Sequence, residues 1–220
     1  MKPYVLIGAG QFADYVQYIL EETLGEHVAA FAVDREFLQS NGEKNGRKLI
    51  STEDVLCSYP PDQFCIAIAF LGKDLYQSRE AAMKKFRDLG YEIPNIIHPS
   101  VRNFSSSMGI GNIVGAGTVF EPFSVLGSGN VFFANSLLSH NCTVGSFNLF
   151  ASNITPTGNS SVGSHCFIGA GSVINNYVHV ADFTLVGARA FVAADTRPRE
   201  VVVPARSTTL AGKDSLSFGK

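Results

Sequence analysis

The stretch LLSHNCTVG, residues 137–145, places a side chain suited to proton transfer among small and aliphatic residues. This side chain is His140, and imidazole is the group whose unperturbed titration lies nearest neutral pH. His140 could be the general base of an active site, or an exposed residue on a repetitive scaffold. The next residue, Asn141, could orient an imidazole ring but could not stabilise its protonated form as a carboxylate would.

A second set of candidates lies in GAGQFA, residues 8–13, between an apolar run and a helical pattern. Backbone N–H groups in that setting bind phosphate, although a single G-x-G is a weak signal. The candidates in this segment are Gly8, Gly10, Gln11 and Phe12.

Three more candidates follow predicted strands. Asp34 and Arg35 stand at the end of the second strand, and Phe70 stands at the end of the third. Such strand ends meet in the crevice where α/β sheets bind nucleotides. Arg35 is equally explained as a solvated surface charge, and core packing explains Phe70 at least as well as stacking on a base.

Residues 1–98 alternate between apolar runs and helical patterns, which predicts a small doubly wound, Rossmann-like domain with a parallel sheet. The predicted strands are 4–10, 27–34 and 63–70, and the predicted helices are 11–24, a short one with Thr52 as N-cap, and 75–90.

From Met108 to Val192 the pattern changes to a period of six. Fourteen of the fifteen positions in this register are large aliphatic or aromatic residues, and Pro156 is the exception. Small residues recur one and four positions further on. A hexad repeat predicts a parallel β-helix with one short strand and one turn per hexad. With three hexads per coil, the helix has about five coils and a length of about 24 Å.

The composition indicates a globular protein, with 45% hydrophobic and 16% charged residues and a formal net charge of −2. No cluster of Lys or Arg points to a nucleic acid or an anionic membrane. The N-terminal apolar run is too short to span a membrane, and the four cysteines lack metal-type spacing. We expect a cytoplasmic protein without a metal site.

GAGQFA, IIHPS (96–100), the unbroken hexads and SHNC (139–142) together resemble the hexapeptide-repeat sugar acetyltransferases that carry an N-terminal nucleotide-binding domain. The resemblance covers nearly the whole chain. It implies a Rossmann-like domain over 1–98 and a left-handed β-helix with a C-terminal tail over 99–220. It also implies a homotrimer that binds acetyl-CoA in grooves between neighbouring prisms.

In these enzymes a histidine followed by an acid, within H-[DE]-C-x-[IV]-G, forms the catalytic pair. The resemblance therefore implies that His140 is the general base and that Asn141 replaces the acid. The implied reaction is acetyl transfer to the amino group of a nucleotide-linked amino deoxy sugar, in surface-glycan (O-antigen) biosynthesis. Two alternatives stay open: O-acetylation of a sialic acid-type sugar, and a non-catalytic scaffold that binds sugar nucleotides.

The resemblance also implies roles for positions along the prism. Leu149 stands where relatives often place a second histidine near the thioester. Gly158, Ala170 and Ala188 match turn positions that line the coenzyme groove, although coil turns require small residues anyway.

In the N-terminal domain, Asp34 and Arg35 match the position that holds the nucleotide base or ribose. Gln11 and Phe12 stand where the family pattern usually has Gly and His.

Three other histidines and two of the cysteines are predicted to have no chemical role. His98 lies at the domain junction, and His165 and His179 lie on coil edges without a carboxylate nearby in sequence. Cys142 and Cys166 occupy inward positions that small residues fill, so we expect them to pack.

Overall fold

A computed structural model describes residues 2–38, 42–207 and 211. The N-terminal part of the chain is an α/β domain. Its strands are β1 (Tyr4–Ile7), β2 (Val28–Val33), β3 (Glu43–Lys44), β4 (Arg47–Ser51) and β5 (Cys65–Ile68). Its helices are α1 (Gln11–Tyr18), extended by a π-helical turn Ile19–Thr23, then α2 (Val55–Ser58) and α3 (Gln77–Asp88), with a 3₁₀ turn at Arg35–Phe37. The sheet order is β3-β4-β2-β1-β5, parallel except for β3.

Helices cover both faces of this sheet. Val16 of α1 packs with Leu6 of β1 on one face, and Phe86 of α3 packs with Val5 and Ile7 of β1 on the other. All four residues of β1 are buried, as expected for a strand between two helical layers. The predicted doubly wound domain is confirmed.

Two details of this domain differ from the sequence prediction. β3 and β4 were not predicted, because β3 has only two residues and the sequence of β4, RKLIS, is mostly polar, with one fully apolar pair. The predicted cap was also wrong, because α2 begins at Val55 after Asp54. Thr52 instead donates a hydrogen bond from Oγ1 to Asp34 Oδ1 at 2.8 Å.

The rest of the described chain is a three-sided prism of two-residue strands. Face one contains β7 (Arg102–Asn103), β10 (Val119–Phe120), β13 (Leu137–Leu138), β16 (Thr155–Pro156), β19 (Val173–Ile174) and β22 (Phe191–Val192). Face two contains β8 (Ser107–Met108), β11 (Val125–Leu126), β14 (Thr143–Val144), β17 (Ser161–Val162) and β20 (His179–Val180). Face three contains β6 (Ile96–Ile97), β9 (Ile113–Val114), β12 (Val131–Phe132), β15 (Leu149–Phe150), β18 (Phe167–Ile168), β21 (Leu185–Val186) and β23 (Val201–Val202).

The register of these strands confirms three hexads per coil. Val119 of β10 pairs with Leu137 of β13, and Val131 of β12 pairs with Leu149 of β15, so a strand pairs with the third strand after it everywhere but at the last pair, β21 and β23. The predicted six-spaced residues fill the interior, where Phe132 and Phe150 stack with ring centroids 4.2 Å apart. The chain therefore forms the left-handed β-helix that the resemblance implies.

The prism is longer than the predicted five coils. Seven strands line face three, and at a spacing of about 4.8 Å they span about 29 Å. The hexad register missed the first coil because that coil is one residue shorter than the coil that follows it: Ile96 pairs with Ile113, not with Val114. Most of the predicted C-terminal tail, residues 208–210 and 212–220, lies outside the described residues.

The α/β domain packs against face three. Outward residues of this face, such as Val131 and Leu149, share one buried cluster with Val16 of α1. Phe133 of the prism meets the ring of Phe12 edge-on at 6.0 Å. The domain contact is therefore apolar, and it leaves faces one and two uncovered by the α/β domain. Within the described part of the chain, no helix is long and apolar enough to cross a membrane.

Candidate active site

His140 lies on the first corner of the prism, which we define as the turns that join face one to face two. Its side chain is exposed. Backbone bonds fix the turn from both neighbouring coils: Asn141 N–H donates to Pro122 O at 3.2 Å, and Asn159 N–H donates to His140 O at 3.1 Å. Among the described residues, none hydrogen-bonds to the imidazole nitrogens of His140. The backbone of the His140 turn is therefore fixed, whereas the imidazole nitrogens are accessible.

Gly158 lies directly beside the imidazole, one coil further along the chain. A Cβ at position 158 would lie 2.6 Å from both Cε1 and Nε2 of His140. Any side chain there would displace the ring. The prediction placed Gly158 in the coenzyme groove, and the structure adds a steric reason for glycine. A comparison of His140 with the residue three hexads later could have revealed that reason.

Asn141 belongs to a row of residues with left-handed backbone conformation. Its φ is 56°, and the equivalent residues Phe123, Asn159 and Tyr177 have φ of 65°, 62° and 64°. Asparagine adopts this conformation more readily than most residues. Its Nδ2 donates to Asn159 Oδ1 at 3.4 Å, so the Asn141 side chain bonds along the row rather than to the ring of His140.

Glu121 is a contact of the His140 turn that the sequence analysis missed. Its Oε2 accepts a hydrogen bond from His140 N–H at 2.9 Å and another from Ser139 Oγ at 2.6 Å. The side chain is half-buried. Only the residue next to His140 had been considered as an acid, whereas Glu121 lies one coil below. Counting back three hexads from Ser139 would have found it.

Cys142 is not one of the residues of this corner that could take part in the chemistry. It is buried, and its Sγ donates to Thr157 O at 3.2 Å. Burial raises the pKa of the Cys142 thiol, which disfavours the nucleophilic thiolate. Cys166 is also buried, and burial raises the pKa of its thiol to about 12. Both cysteines pack as predicted.

The other predicted coenzyme positions lie elsewhere on the prism. Ala170 and Ala188 lie on the corner that joins face three to face one, so they and Gly158 border opposite edges of face one. Leu149 is on face three and is only 4% exposed, because it packs under the α/β domain. Leu149 is thus outside any exposed groove, contrary to its predicted role.

A cavity of about 780 Å³ opens at the carboxyl ends of β1 and β2, beside α3. Four of the seven predicted nucleotide-site residues line it: Gly8, Gly10, Asp34 and Phe70. Gly8 has a φ of 122°, and a Cβ there would lie 2.6 Å from Ala69 O, so this close turn requires glycine.

The other three predicted residues do not line the cavity. Gln11 is exposed at the start of α1. The ring of Phe12 packs between the domains, at 6.1 Å from Tyr15. Arg35 is 64% exposed and pairs with Glu53 at 2.8 Å, which matches the surface-charge alternative.

Sequence reasoning also missed one wall of the cavity. Ser78, Ala81, Ala82 and Lys85 line it from α3. Their helical spacing places them on one face of α3, which was a readable signal. Lys85 supplies the cationic side chain in this lining, and Asp34 the acidic one.

Arg79, on the same helix, is fully buried and holds the strand end that carries Phe70. Its Nη1 donates to the backbone carbonyls of Ile68 and Phe70. Burial lowers the pKa of Arg79 to about 10, so the guanidinium stays charged at neutral pH.

The side chains of His98, His165 and His179 have partners in the structure. His98 Nδ1 lies 2.8 Å from Ser100 Oγ, and His179 Nδ1 lies 2.8 Å from Ser161 Oγ. His165 is buried at the second corner, where face two joins face three, and Glu80 of α3 approaches it to 3.2 Å. No cluster of three metal-binding side chains occurs in the described ranges.

The fold is shared with solved acetyltransferase structures. The acetyltransferase domain of PglB from Neisseria gonorrhoeae FA1090, in complex with acetyl coenzyme A, is 26% identical, with a TM-score of 0.80 over 94% of this chain and 99% of that chain. A histidine variant of perosamine N-acetyltransferase from Caulobacter crescentus, in complex with CoA and GDP-perosamine, is 23% identical, with a TM-score of 0.81 over 92% and 94%.

WeeI from Acinetobacter baumannii AYE is 20% identical, with a TM-score of 0.77 over 93% of this chain and 94% of that chain. No protein-family model and no curated relative matches the chain. The structural likeness extends through both the α/β domain and the prism. The chain therefore has the architecture of the hexapeptide-repeat sugar acetyltransferases, and this likeness supports an acyltransferase.

Proposed function

We propose that the protein transfers an acetyl group from acetyl-CoA to the amino group of a nucleotide-linked amino deoxy sugar, in surface-glycan biosynthesis. The observation that carries the proposal is the exposed imidazole of His140, held against Gly158 on the first corner. A crevice large enough for a nucleotide accompanies it in the α/β domain. The complexes of two solved neighbours, one with acetyl coenzyme A and one with CoA and GDP-perosamine, support both ligands.

His140 acts as the general base in this proposal. The sugar amine attacks the thioester carbonyl, the new C–N bond forms, and the imidazole takes the proton that the nitrogen loses. The tetrahedral oxyanion needs a preorganised donor. Gly158 lies beside the ring, and its N–H donates to no carbonyl of the described residues, so in this proposal it serves that oxygen. The C–S bond then breaks, and the imidazolium of His140 returns the proton to the sulfur, which releases CoA.

The crevice of the α/β domain binds the nucleotide in this proposal. Ala9 and Gly10, which follow the Gly8 turn, offer backbone N–H groups at the start of α1 for phosphate. Asp34 lies at the end of β2, where an acidic side chain accepts hydrogen bonds from ribose hydroxyls. Phe37 and Phe70 line the same cavity and provide aromatic surface for a base.

We further propose a homotrimer that contacts through face one. The α/β domain covers face three, whereas face one presents outward apolar residues such as Leu137, Val173 and Phe191. Phe191 is 61% exposed, and a three-fold contact would bury it and create grooves for the coenzyme. Light scattering at micromolar concentration should give three times the chain mass. A monomer would contradict both the trimer and the groove.

The experiment that tests the function measures thiol release from acetyl-CoA with a panel of nucleotide-linked amino sugars. We expect turnover with at least one amine and none with its hydroxyl analogue. Turnover with the hydroxyl sugar alone would favour O-acetylation, and tight nucleotide binding without any turnover would favour the scaffold.

Asp34→Ala separates the two substrate sites. Loss of its hydrogen bonds should weaken binding of the nucleotide sugar by about 10-fold and leave the affinity for acetyl-CoA unchanged. Calorimetric titration with each ligand measures both affinities. Equal losses for the two ligands in a folded variant would contradict the assignment of the crevice to the nucleotide.

A further inference from the structure

The His140 turn carries a carboxylate contact although residue 141 is not an acid. Glu121, one coil below, accepts hydrogen bonds from His140 N–H at 2.9 Å and from Ser139 Oγ at 2.6 Å through the same oxygen, Oε2. Glu121 is half-buried, and charge-assisted hydrogen bonds of this kind are about twice as strong as neutral ones. The backbone on which the imidazole is mounted is therefore tied to the preceding coil by a charged group.

The prism contains a matched contact at a corner other than that of His140. At the second corner, Asp182 Oδ1 accepts from Ser164 N–H at 2.7 Å, again across neighbouring coils. The coil turns below this contact use hydroxyls instead: Ser146 N–H donates to Ser164 Oγ at 3.0 Å. The N–H of such a turn is thus bonded either to a carboxylate or to a hydroxyl of a neighbouring coil. The His140 N–H is bonded to a carboxylate, that of Glu121.

We propose that Glu121 is a positioning residue for His140 and supplies, from the coil below, the carboxylate anchor that residue 141 does not provide. The inference rests on the proposed function of His140 as a base. Glu121 fixes the His140 backbone from below, and Gly158 leaves room for the imidazole above. If the turn loosens, the ring leaves the position from which it can reach the substrate amine, and a misplacement of about 1 Å costs up to about 100-fold in rate.

Three variants test this role by steady-state kinetics and thermal unfolding. Glu121→Ala should lower kcat by about 10-fold and leave KM for both substrates within about two-fold, because the loss is in the geometry of the base rather than in binding. Glu121→Gln keeps an oxygen that accepts from the same N–H, so it should recover kcat to within about three-fold of the parent. Asp182→Ala removes the matched contact and should lower the unfolding temperature as Glu121→Ala does, with kcat unchanged.

Two kinetic outcomes would overturn the proposal. One is a Glu121→Ala protein with the kcat of the parent. The other is an Asp182→Ala protein that loses as much kcat as Glu121→Ala, because the effect would then come from general weakening of the prism.

A measurement without substrate separates this inference from the proposed function. The backbone amide proton of His140 in the full-length protein should exchange faster with solvent and move upfield in Glu121→Ala, and the NMR spectrum reports both changes. An unaffected amide would overturn the contact itself. An active His140→Ala protein would instead overturn the role of the histidine as base, whatever the amide of residue 140 does.

Discussion

His140 and His165 occupy turns of the same prism, yet their surroundings are opposite. His140 is exposed, with Gly158 beside its ring. His165 is 8% exposed and lies between the rings of Phe147 and Phe183, with centroid distances of 5.6 Å and 4.8 Å. Both nitrogens of His165 have partners: Nδ1 lies 3.0 Å from Leu75 O, and Nε2 lies 3.2 Å from Glu80 Oε2. One imidazole is available to a ligand, and the other ties the prism to the α/β domain.

The difference arises from residues one coil away, not from adjacent residues. Phe147 and Phe183 precede and follow His165 by one coil, whereas glycine follows His140 at the same offset. The pairing of strands from consecutive coils makes these positions neighbours in space. In this fold, the surroundings of a side chain therefore depend mainly on the residues at the same position of the preceding and following coils. We call such a set of positions a column.

The largest effect that we expect is on turnover. His140→Ala should lower kcat by about 100-fold or more, the contribution that general bases make, with little change in affinity for acetyl-CoA. Thiol release and coenzyme titration measure the two quantities. An active variant would mean that the exposed imidazole has no chemical role, and the contrast between the two histidines would be one of exposure only.

His165→Ala should show the converse behaviour. Removal of a buried ring from between two phenylalanines should lower the free energy of unfolding by about 2–3 kcal/mol. Turnover of the folded protein should stay within about two-fold of the parent, because His165 is at another corner. Denaturant unfolding and kinetics on the same sample test both expectations, and a selective loss of kcat without loss of stability would contradict them.

Gly158→Ala tests the column directly. The added methyl would meet Cε1 and Nε2 of His140 at 2.6 Å, so we expect the ring to move and kcat to fall by about 10-fold. The control is the same change in a His140→Ala background, where it should cost almost nothing because the displaced ring is already absent. Additive losses in the double variant would show that Gly158 acts independently of His140.

The sequence predicted the prism better than the α/β domain, for a physical reason. Its interior positions recur every six residues and are nearly all apolar, so Val114 to Val192 could be assigned from one register. Strand β4 of the α/β domain is half polar and gave no comparable signal.

The site was predictable only in part. His140 stood out by its type, and Gly8 stood out by its turn. Glu121 did not, since its link to His140 depends on the pairing of coils rather than on proximity along the chain. Phe12 lies outside the cavity because its ring packs against the prism, and Arg35 because it pairs with Glu53 on the surface; the sequence shows neither contact.

Asn141→Asp should have the smallest effect and addresses the residue that differs from the H-[DE] pattern. A carboxylate beside an imidazole favours the imidazolium, so the acid limb of the rate profile should move to higher pH, by about half a pH unit for charges about 6 Å apart in a water-like medium. Below that limb the rate should fall, and above it the rate should hold or rise slightly. The Asn141 side chain bonds to Asn159 at 3.4 Å, and the introduced carboxylate could accept from the amide of Asn159 instead, so the fold should be kept. A pH profile identical to that of the parent would show that residue 141 does not act on the ring, and it would leave Glu121 as the carboxylate that serves the His140 turn.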